Sequence, residues 1–76
     1  MKGVMKLEIK ISLAAARVNA CLTQDAVAKQ LKVSKRTIVN WEKGKSMPAL
    51  ASLQALSLIY NIPVDNIFLP NYTHLK

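Results

Sequence analysis

The sequence is poor in cysteine, in glycine and proline, in aromatic residues and in acidic side chains, and it has no long hydrophobic run. Its single cysteine, Cys21, excludes an intramolecular disulfide and any cysteine-only metal site, which suits a reducing compartment. No apolar run approaches the roughly 18 residues of a membrane span and no export signal is recognisable, so we expect a cytoplasmic protein with no membrane partner. Two glycines and three prolines beside 51% hydrophobic residues, in a chain of 76, indicate one small helical domain.

The shortage of acidic residues leaves a strongly basic chain. Eleven Lys and Arg residues against four Asp and Glu residues give a formal charge of +7. The excess is clustered between positions 29 and 45, where a single anion, Glu42, stands among six cations: Lys29, Lys32, Lys35, Arg36, Lys43 and Lys45. Such a cluster can form a solvated face or meet a membrane surface, but on a pattern of two short helices joined by a turn it favours nucleic acid.

Helical spacing of apolar residues and helix-start signals predict a bundle of about five short helical segments. The first three helices are expected to begin after Ser12, Thr23 and Ser34, because Ser and Thr hydroxyls accept hydrogen bonds from first-turn amides. The second helix ends at Lys32, and Gly44 follows the third helix where a left-handed residue is wanted.

The fourth predicted helix is apolar on two sides. Pro48 is placed in its first turn, and the helix runs through ALASLQALSLIY to about residue 60. Leu53, Leu56 and Tyr60 form a stripe that we assign to the core. A second stripe lies on nearly the opposite side and consists of Ala51, Ala55, Leu58 and Ile62. Because a helix that is apolar on both sides must be covered on both, the second stripe is our candidate dimer interface.

The two ends of the chain frame this bundle. Residues 4–11, VMKLEIKI, alternate apolar and charged side chains as a strand does. They either pair with the same strand of a second subunit or form a loose basic arm, which we favour because termini fray. After Pro63 the segment VDNIFL is expected to turn and to close the core with Ile67 and Phe68. The predicted organisation is an arm or short strand at 1–11, a helix-turn-helix domain at 12–69 and a tail at 70–76.

The third predicted helix, about Lys35–Lys43, separates an apolar face from a polar one. At about 100° per residue, Ile38 and Trp41 share one face, which we assign to the core, while the opposite arc holds Lys35, Arg36, Val39 and Asn40. Cations in the first turn of such a helix can reach guanine O6 and N7 in the DNA major groove. Arg36, with its planar fork, is the better bidentate reader.

The neighbours of Arg36 each have two interpretations. Lys35 reads a base or contacts a phosphate, and Asn40 pairs with adenine or, as we favour, binds a phosphate. Val39 meets a thymine methyl group or is merely exposed. Lys43 and Lys45 are expected to contact phosphates without reading sequence.

The stretch LTQDAVAKQLKVSKRTIVNWEKGKSMP, followed by a leucine-rich helix and a VDNIF turn, resembles the phage repressor and Cro-like helix-turn-helix regulators over about residues 12–69. The resemblance implies an all-α fold of the lambda-repressor-like type and a sequence-specific regulator of transcription that binds double-stranded DNA. It implies an ion pair between Arg17 and Glu42. It also implies DNA contacts from Gln24, Ser34, Lys35, Arg36, Thr37, Asn40, Lys43 and Lys45.

Two positions depart from the family pattern. Lys32 and Cys21 stand where members of the family often have glycine in the turns that follow the second and first helices. A residue with a Cβ atom in a left-handed conformation costs on the order of 1 kcal/mol. We expect the turn at Lys32 to be distorted or tolerated, and Cys21 to be a small buried or half-buried filler.

A single reading helix touches only a few base pairs, so we expect a homodimer on a near-palindromic operator. We expect regulation to come from occupancy of the DNA site itself. Repression by covering a promoter is the simpler expectation, and contact with RNA polymerase from an adjacent site is the alternative. The resemblance extends to proteins of phages and prophages and to DNA-binding antitoxins of two-gene modules. The main alternative is a helical adaptor that binds another protein, and RNA binding is disfavoured because Trp41 is assigned to the core.

No catalytic or ligand-binding constellation is recognisable. No nucleophile, base and orienting group occur in a known order, and no glycine-rich phosphate loop is present. His74 stands in the polar tail with no second His or Cys at ligand spacing. The sequence predicts no enzyme, no cofactor, no metal site and no small-molecule ligand.

Overall fold

The structure is a computed structural model that describes residues 9–70. Four α-helices, a single 3-10 turn and a two-stranded sheet account for the regular structure of that range. In chain order these are β1 (Ile11–Ser12), α1 (Leu13–Asn19), α2 (Gln24–Leu31), α3 (Lys35–Lys43), α4 (Leu50–Tyr60), the 3-10 turn Val64–Asn66 and β2 (Ile67–Phe68). The predicted all-α fold with a short N-terminal strand is confirmed. Residues 1–8 and 71–76, which include most of the predicted arm and the tail with His74, lie outside the described residues.

The three predicted helix starts are confirmed by their capping bonds. Ser12 accepts a hydrogen bond from the amide of residue 15 at 3.1 Å, and Thr23 accepts one from residue 26 at 3.0 Å. Ser34 accepts one from the amide of Thr37 at 3.2 Å. Each bond satisfies a first-turn donor that has no partner within its helix, which fixes where the helix begins.

The predicted left-handed positions are occupied as the sequence requires. Gly44 caps α3 with a φ of 77°, and Lys32 caps α2 with a φ of 61°. Cys21 has a φ of 62° in the turn after α1 and is exposed, so the expectation of a buried filler is wrong. Lys32 is exposed and its amide closes the end of α2 in the left-handed conformation, so lysine is tolerated in place of glycine at this turn.

The core is assembled from one face of each of the four α-helices and from Ile67 and Leu69 near the end of the described range. Ile38 and Leu56 are 1% exposed and Trp41 is 8% exposed, so the predicted apolar face of α3 is confirmed. The stripe on α4 that we assigned to the core is buried as well. Among residues 9–70, the buried core consists of Leu13, Ala16, Val27, Ala28, Ile38, Trp41, Leu53, Leu56, Tyr60, Ile67 and Leu69.

The start of the described chain is attached to its end. β1 pairs in parallel with β2, with Ile11 opposite Ile67. Two side chains reinforce the pairing, because Lys10 Nζ donates to the carbonyl of Asp65 at 2.9 Å and Asn66 Nδ2 donates to the carbonyl of Ile9 at 2.7 Å. For residues 9–12, neither the loose arm nor pairing with a second subunit is correct, because the strand's partner lies within the same chain.

Two details near α4 and β2 differ from expectation. Pro48 is buried before the helix, and Ala49 is the N-cap, so Pro48 ends the preceding loop and does not belong to the first turn. Phe68 is 41% exposed, whereas Ile67 and Leu69 are buried. Successive residues of an extended segment point to opposite sides, so only one set can face the core.

The second stripe on α4 is only partly open to solvent. Leu58 is 83% exposed and Ala51 is exposed, but Ala55 and Ile62 are half-buried. Ile62 follows the left-handed residue Asn61 and therefore leaves the helical path. The chain folds back there, since the amide of Ile62 donates to the carbonyl of residue 57 at 3.0 Å, and Ile62 packs against the core.

Replacing Lys32 by Gly should raise the free energy of unfolding by about 1 kcal/mol, because glycine has no Cβ atom to oppose a φ of 61°. Lys32→Ala removes the same charge but keeps the Cβ atom, so it is the control and should give no gain. Urea unfolding followed by circular dichroism measures both. An equal effect of the two substitutions would show that charge, and not backbone conformation, limits stability at this turn.

Candidate nucleic-acid interface

The face of α3 opposite Ile38 and Trp41 forms a concave polar surface. It is lined by Lys35, Arg36, Val39, Asn40, Lys43 and Lys45. The four cations are exposed, whereas Val39 and Asn40 are half-buried between them. The surface therefore has a rim of positive charge and a floor that holds one apolar group and one amide. Such a surface can meet phosphates at its edges and base edges at its centre.

The loop after α3 is held against the helix by backbone bonds. The carbonyl of Asn40 accepts the amide of Lys45 at 2.9 Å, and the amide of Gly44 donates to the carbonyl of Trp41 at 3.2 Å. These bonds need the left-handed conformation at Gly44. They keep Lys45 beside α3, so that Lys43 and Lys45 both line the concave surface and both can contact phosphates.

The hydroxyl groups of Ser34 and Thr37, which are both predicted to contact DNA, form a hydrogen bond with each other. Besides accepting the amide of Thr37, Ser34 Oγ lies 3.0 Å from Thr37 Oγ1, and either hydroxyl can donate. Two hydroxyl groups that share one hydrogen bond keep one O–H for an outside acceptor. The start of α3 therefore presents one directed hydroxyl donor beside the exposed Lys35 and Arg36.

Behind the concave surface, the Arg17–Glu42 ion pair implied by the family resemblance is present. Arg17 Nε lies 2.7 Å from Glu42 Oε2, and the two side chains are only 15% and 8% exposed. Arg17 Nη1 also donates to the carbonyl of Leu22 at 2.9 Å. The hydrogen bond that Arg17 donates to Glu42 raises the pKa of Arg17 above its ordinary value. The pair joins α1, the turn after it and α3, and so fixes the orientation of α3.

Tyr60 lies in the core, where the charges of Glu42 and Arg17 affect the pKa of its phenol. Burial raises the pKa of Tyr60 to about 12, and the negative charge of Glu42 acts in the same direction. Arg17 opposes both effects. The phenol is therefore neutral throughout the physiological range.

Gln24 lies apart from the concave surface. It borders a second cleft at the start of α2, which is lined by Arg17, Thr23, Gln24, Asp25 and Lys35. Its side-chain Nε2 donates to Glu42 Oε1 at 2.9 Å. Sequence reasoning missed this bond. The only signal was the implied Arg17–Glu42 pair, and Gln24 is seen to reach it only when α2 is packed across α3.

The described residues 9–70 contain no group of three or more His, Cys, Asp or Glu side chains that could hold a metal ion. None of the helices within that range is long and apolar enough to cross a bilayer.

Comparison with known proteins places the chain among helix-turn-helix proteins. A family model described as Helix-turn-helix matches residues 13–67. The chain is 34% identical over 61 residues to the HTH-type transcriptional activator BcrR of Enterococcus faecalis. The matched region covers 80% of this chain and 30% of that protein. Two uncharacterized HTH-type transcriptional regulators from archaea are also similar over 48 residues, or 63% of this chain.

The archaeal relative from Methanocaldococcus jannaschii is 38% identical, and the match covers 73% of its length. The one from Archaeoglobus fulgidus is 35% identical, with 68% of its length covered. The chain thus spans less than a third of BcrR but more than two thirds of the archaeal proteins. No solved structure matches the chain significantly.

Replacing Glu42 by Ala should lower the free energy of unfolding by about 3 kcal/mol, because it leaves the partly buried guanidinium of Arg17 without its counter-charge. Lys43→Ala, at the exposed neighbouring position, is the control and should change stability by less than about 0.5 kcal/mol. Thermal unfolding without DNA measures both. A loss at Glu42 no larger than that at Lys43 would contradict the structural role of the ion pair.

Proposed function

Since this chain belongs to the Cro/C1-type helix-turn-helix family of DNA-binding transcriptional regulators, we propose that it reads the major groove of a specific operator with α3. Members of this family regulate transcription and are not enzymes. The observation that carries the proposal is the exposed rim of Lys35, Arg36, Lys43 and Lys45 around the half-buried floor of the concave surface. An adaptor for another protein has no physical reason to gather four cations about one helix face.

Each side chain of the concave surface has a proposed part in the contact. Arg36, exposed in the first turn of α3, donates both arms of its guanidinium to guanine O6 and N7. Val39 on the floor meets a thymine methyl group, and Asn40 beside it binds a phosphate or an adenine edge. Lys35, Lys43 and Lys45 hold phosphates, and the hydroxyl pair of Ser34 and Thr37 supplies one further donor.

Binding to duplex DNA should depend steeply on salt. Each phosphate neutralised by a lysine or arginine adds roughly 0.9 to the slope of log affinity against log salt concentration. A gel shift with a random duplex over a range of potassium chloride concentrations measures this slope. Two results would overturn the proposal. One is that the protein shifts no duplex at low salt, and the other is that its affinity for duplex does not change with salt concentration.

We further propose that the regulator acts as a homodimer through the exposed side of α4. Leu58 is 83% exposed and Leu50 is 66% exposed, and α4 carries no charged residue in its sequence LASLQALSLIY. Ala51 and Ala55 lie on the same side, while Ile62 contributes only an edge because it is half-buried. An uncovered apolar helix face on a small basic domain is best explained by a second copy that covers it.

Repression by occupancy of a promoter is the proposed mode of regulation, in the cytoplasm where the chromosome is accessible. A relative bears the name of an activator, so contact with RNA polymerase from an adjacent site is the competing mode. A reporter with the selected operator placed over the promoter or upstream of it distinguishes them. Repression from the first position alone supports occupancy, and activation from the second position supports polymerase contact.

Arg36→Ala and Lys45→Ala should weaken DNA binding in different ways. Loss of Arg36 should cost about 1 to 3 kcal/mol and blur the preference at one base position, because the bidentate contact to guanine is removed. Loss of Lys45 should weaken all sequences alike and reduce the salt slope by roughly 0.9. Selection of bound sequences from a random duplex pool, with each variant, measures both. The same base preference in Arg36→Ala as in the unmodified protein would contradict the reading role.

Leu58→Glu should turn the dimer into a monomer without unfolding it, because the side chain is already exposed in the single chain but would carry a charge into the interface. Val18→Glu is a matched control, since Val18 is 60% exposed on α1. Light scattering at increasing protein concentration measures the mass of each. A monomeric unmodified protein, or a Leu58→Glu variant that still dimerises, would remove this interface.

A further inference from the structure

We propose that Glu42 is a positioning residue for DNA binding, because the hydrogen bond that it accepts from Gln24 sets which end of the Gln24 amide faces a DNA phosphate at the start of α2. The inference rests on the proposed DNA-binding function. It adds to that function a residue that touches no DNA itself. It also gives the Arg17–Glu42 pair a second task besides holding α1 and α3 together.

The carboxylate of Glu42 is shared between two donors from different parts of the chain. Arg17 Nε donates to Oε2 at 2.7 Å, and Gln24 Nε2 donates to Oε1 at 2.9 Å. Arg17 Nη2 also lies 3.4 Å from Oε1. Because the ion pair with Arg17 holds Glu42 in place, Oε1 is a fixed acceptor beside the first residue of α2.

An ionised carboxylate accepts hydrogen bonds and cannot donate them. Gln24 must therefore turn its NH₂ group towards Glu42, since the opposite orientation would place the amide oxygen against a carboxylate oxygen. Charge, and not shape, fixes this choice, because the two ends of a side-chain amide are nearly equal in size. The side chain of Glu42 is only 8% exposed, so water screens the preference weakly.

The fixed amide leaves one N–H available in the cleft at the start of α2. Glu42 accepts a hydrogen bond from one of the two hydrogens on Gln24 Nε2, which leaves the second hydrogen to donate to a phosphate oxygen. Within residues 9–70, no hydrogen bond occupies the backbone N–H of Gln24 or Asp25. Lys35 lines the same cleft and attracts an anion, whereas the carboxylate of Asp25 opposes one.

A contact from Gln24 has a signature that a lysine contact lacks. Glutamine carries no charge, so its loss should release no additional counterion and should leave the salt slope unchanged. The affinity should instead fall by the same factor at every salt concentration. A variant that simply loosened the cationic surface would change the slope as well.

The test is a double-mutant cycle on duplex affinity, with Gln24→Ala and Glu42→Ala alone and together. In the unmodified background, Gln24→Ala should reduce affinity on the order of tenfold, the effect of losing a hydrogen bond to a charged group, with parallel salt lines. In the Glu42→Ala background the same substitution should reduce affinity by less than about twofold, because the amide is no longer oriented. Gln30→Ala, an exposed glutamine on the same helix, is the control.

Three results would overturn the inference or its premise. An equal effect of Gln24→Ala in both backgrounds would show that Glu42 does not position the amide. No effect of Gln24→Ala in the unmodified protein would remove the phosphate contact and this inference, while leaving the reading role of α3 intact. Failure of the unmodified protein to bind any duplex would instead overturn the proposed function itself.

A second measurement covers the case in which Glu42→Ala does not fold. In the unmodified protein, nuclear magnetic resonance of the Gln24 side-chain NH₂ group should show slow exchange with solvent for the hydrogen bonded to Glu42. Adding duplex should slow exchange of the other hydrogen while the first stays protected. Loss of protection at the first hydrogen when DNA binds would show that the bond to Glu42 breaks, which would contradict the inference.

Discussion

Burial of one face of α3 is the constraint from which the rest of the structure follows. Ile38 and Trp41 are held in a core to which every other helix contributes. Because a helix presents its opposite arc at a fixed angle, seating these two side chains leaves the cationic arc turned outward. The affinity for an anionic polymer is thus a consequence of core packing, and any change that loosens the core also changes the angle at which the cations are presented.

The Arg17–Glu42 ion pair restricts how α3 can rotate within this packing. Apolar contacts alone allow small rotations of a short helix, whereas a charge-assisted bond of 2.7 Å between α1 and α3 allows few. The same carboxylate also holds Gln24, so the two helices that would approach DNA are joined at one group. The pairing of β1 with β2 attaches the start of α1 to the end of the domain, so that α1 is anchored at both ends.

Much of the fold was predictable because its signals are local. The hydroxyls at Ser12, Thr23 and Ser34 mark helix starts through bonds to amides three residues ahead, and the 3.6-residue period identifies the buried face of α3. The pairings and exposures that were not predicted depend on distant partners. β1 pairs with residues more than 50 positions away, and the exposure of Phe68 follows from a strand that exists only because of that pairing.

The candidate site divides in the same way. The cations of the concave surface and the hydroxyls at the start of α3 were accessible from the sequence because they lie on or directly beside one helix. The bond from Gln24 to Glu42 and the mutual bond of Ser34 and Thr37 were not, since the first depends on the crossing of α2 over α3 and the second on a rotamer. The half-buried Ile62 was missed because the left-handed Asn61 takes the chain off the helical path.

The most direct test of the account is nuclear magnetic resonance of the labelled protein during a titration with duplex DNA. If the buried face of α3 presents the opposite arc to the major groove, amide signals of residues 34–45 and of the start of α2 should shift. Shifts confined to α4, with α3 unaffected, would contradict the account.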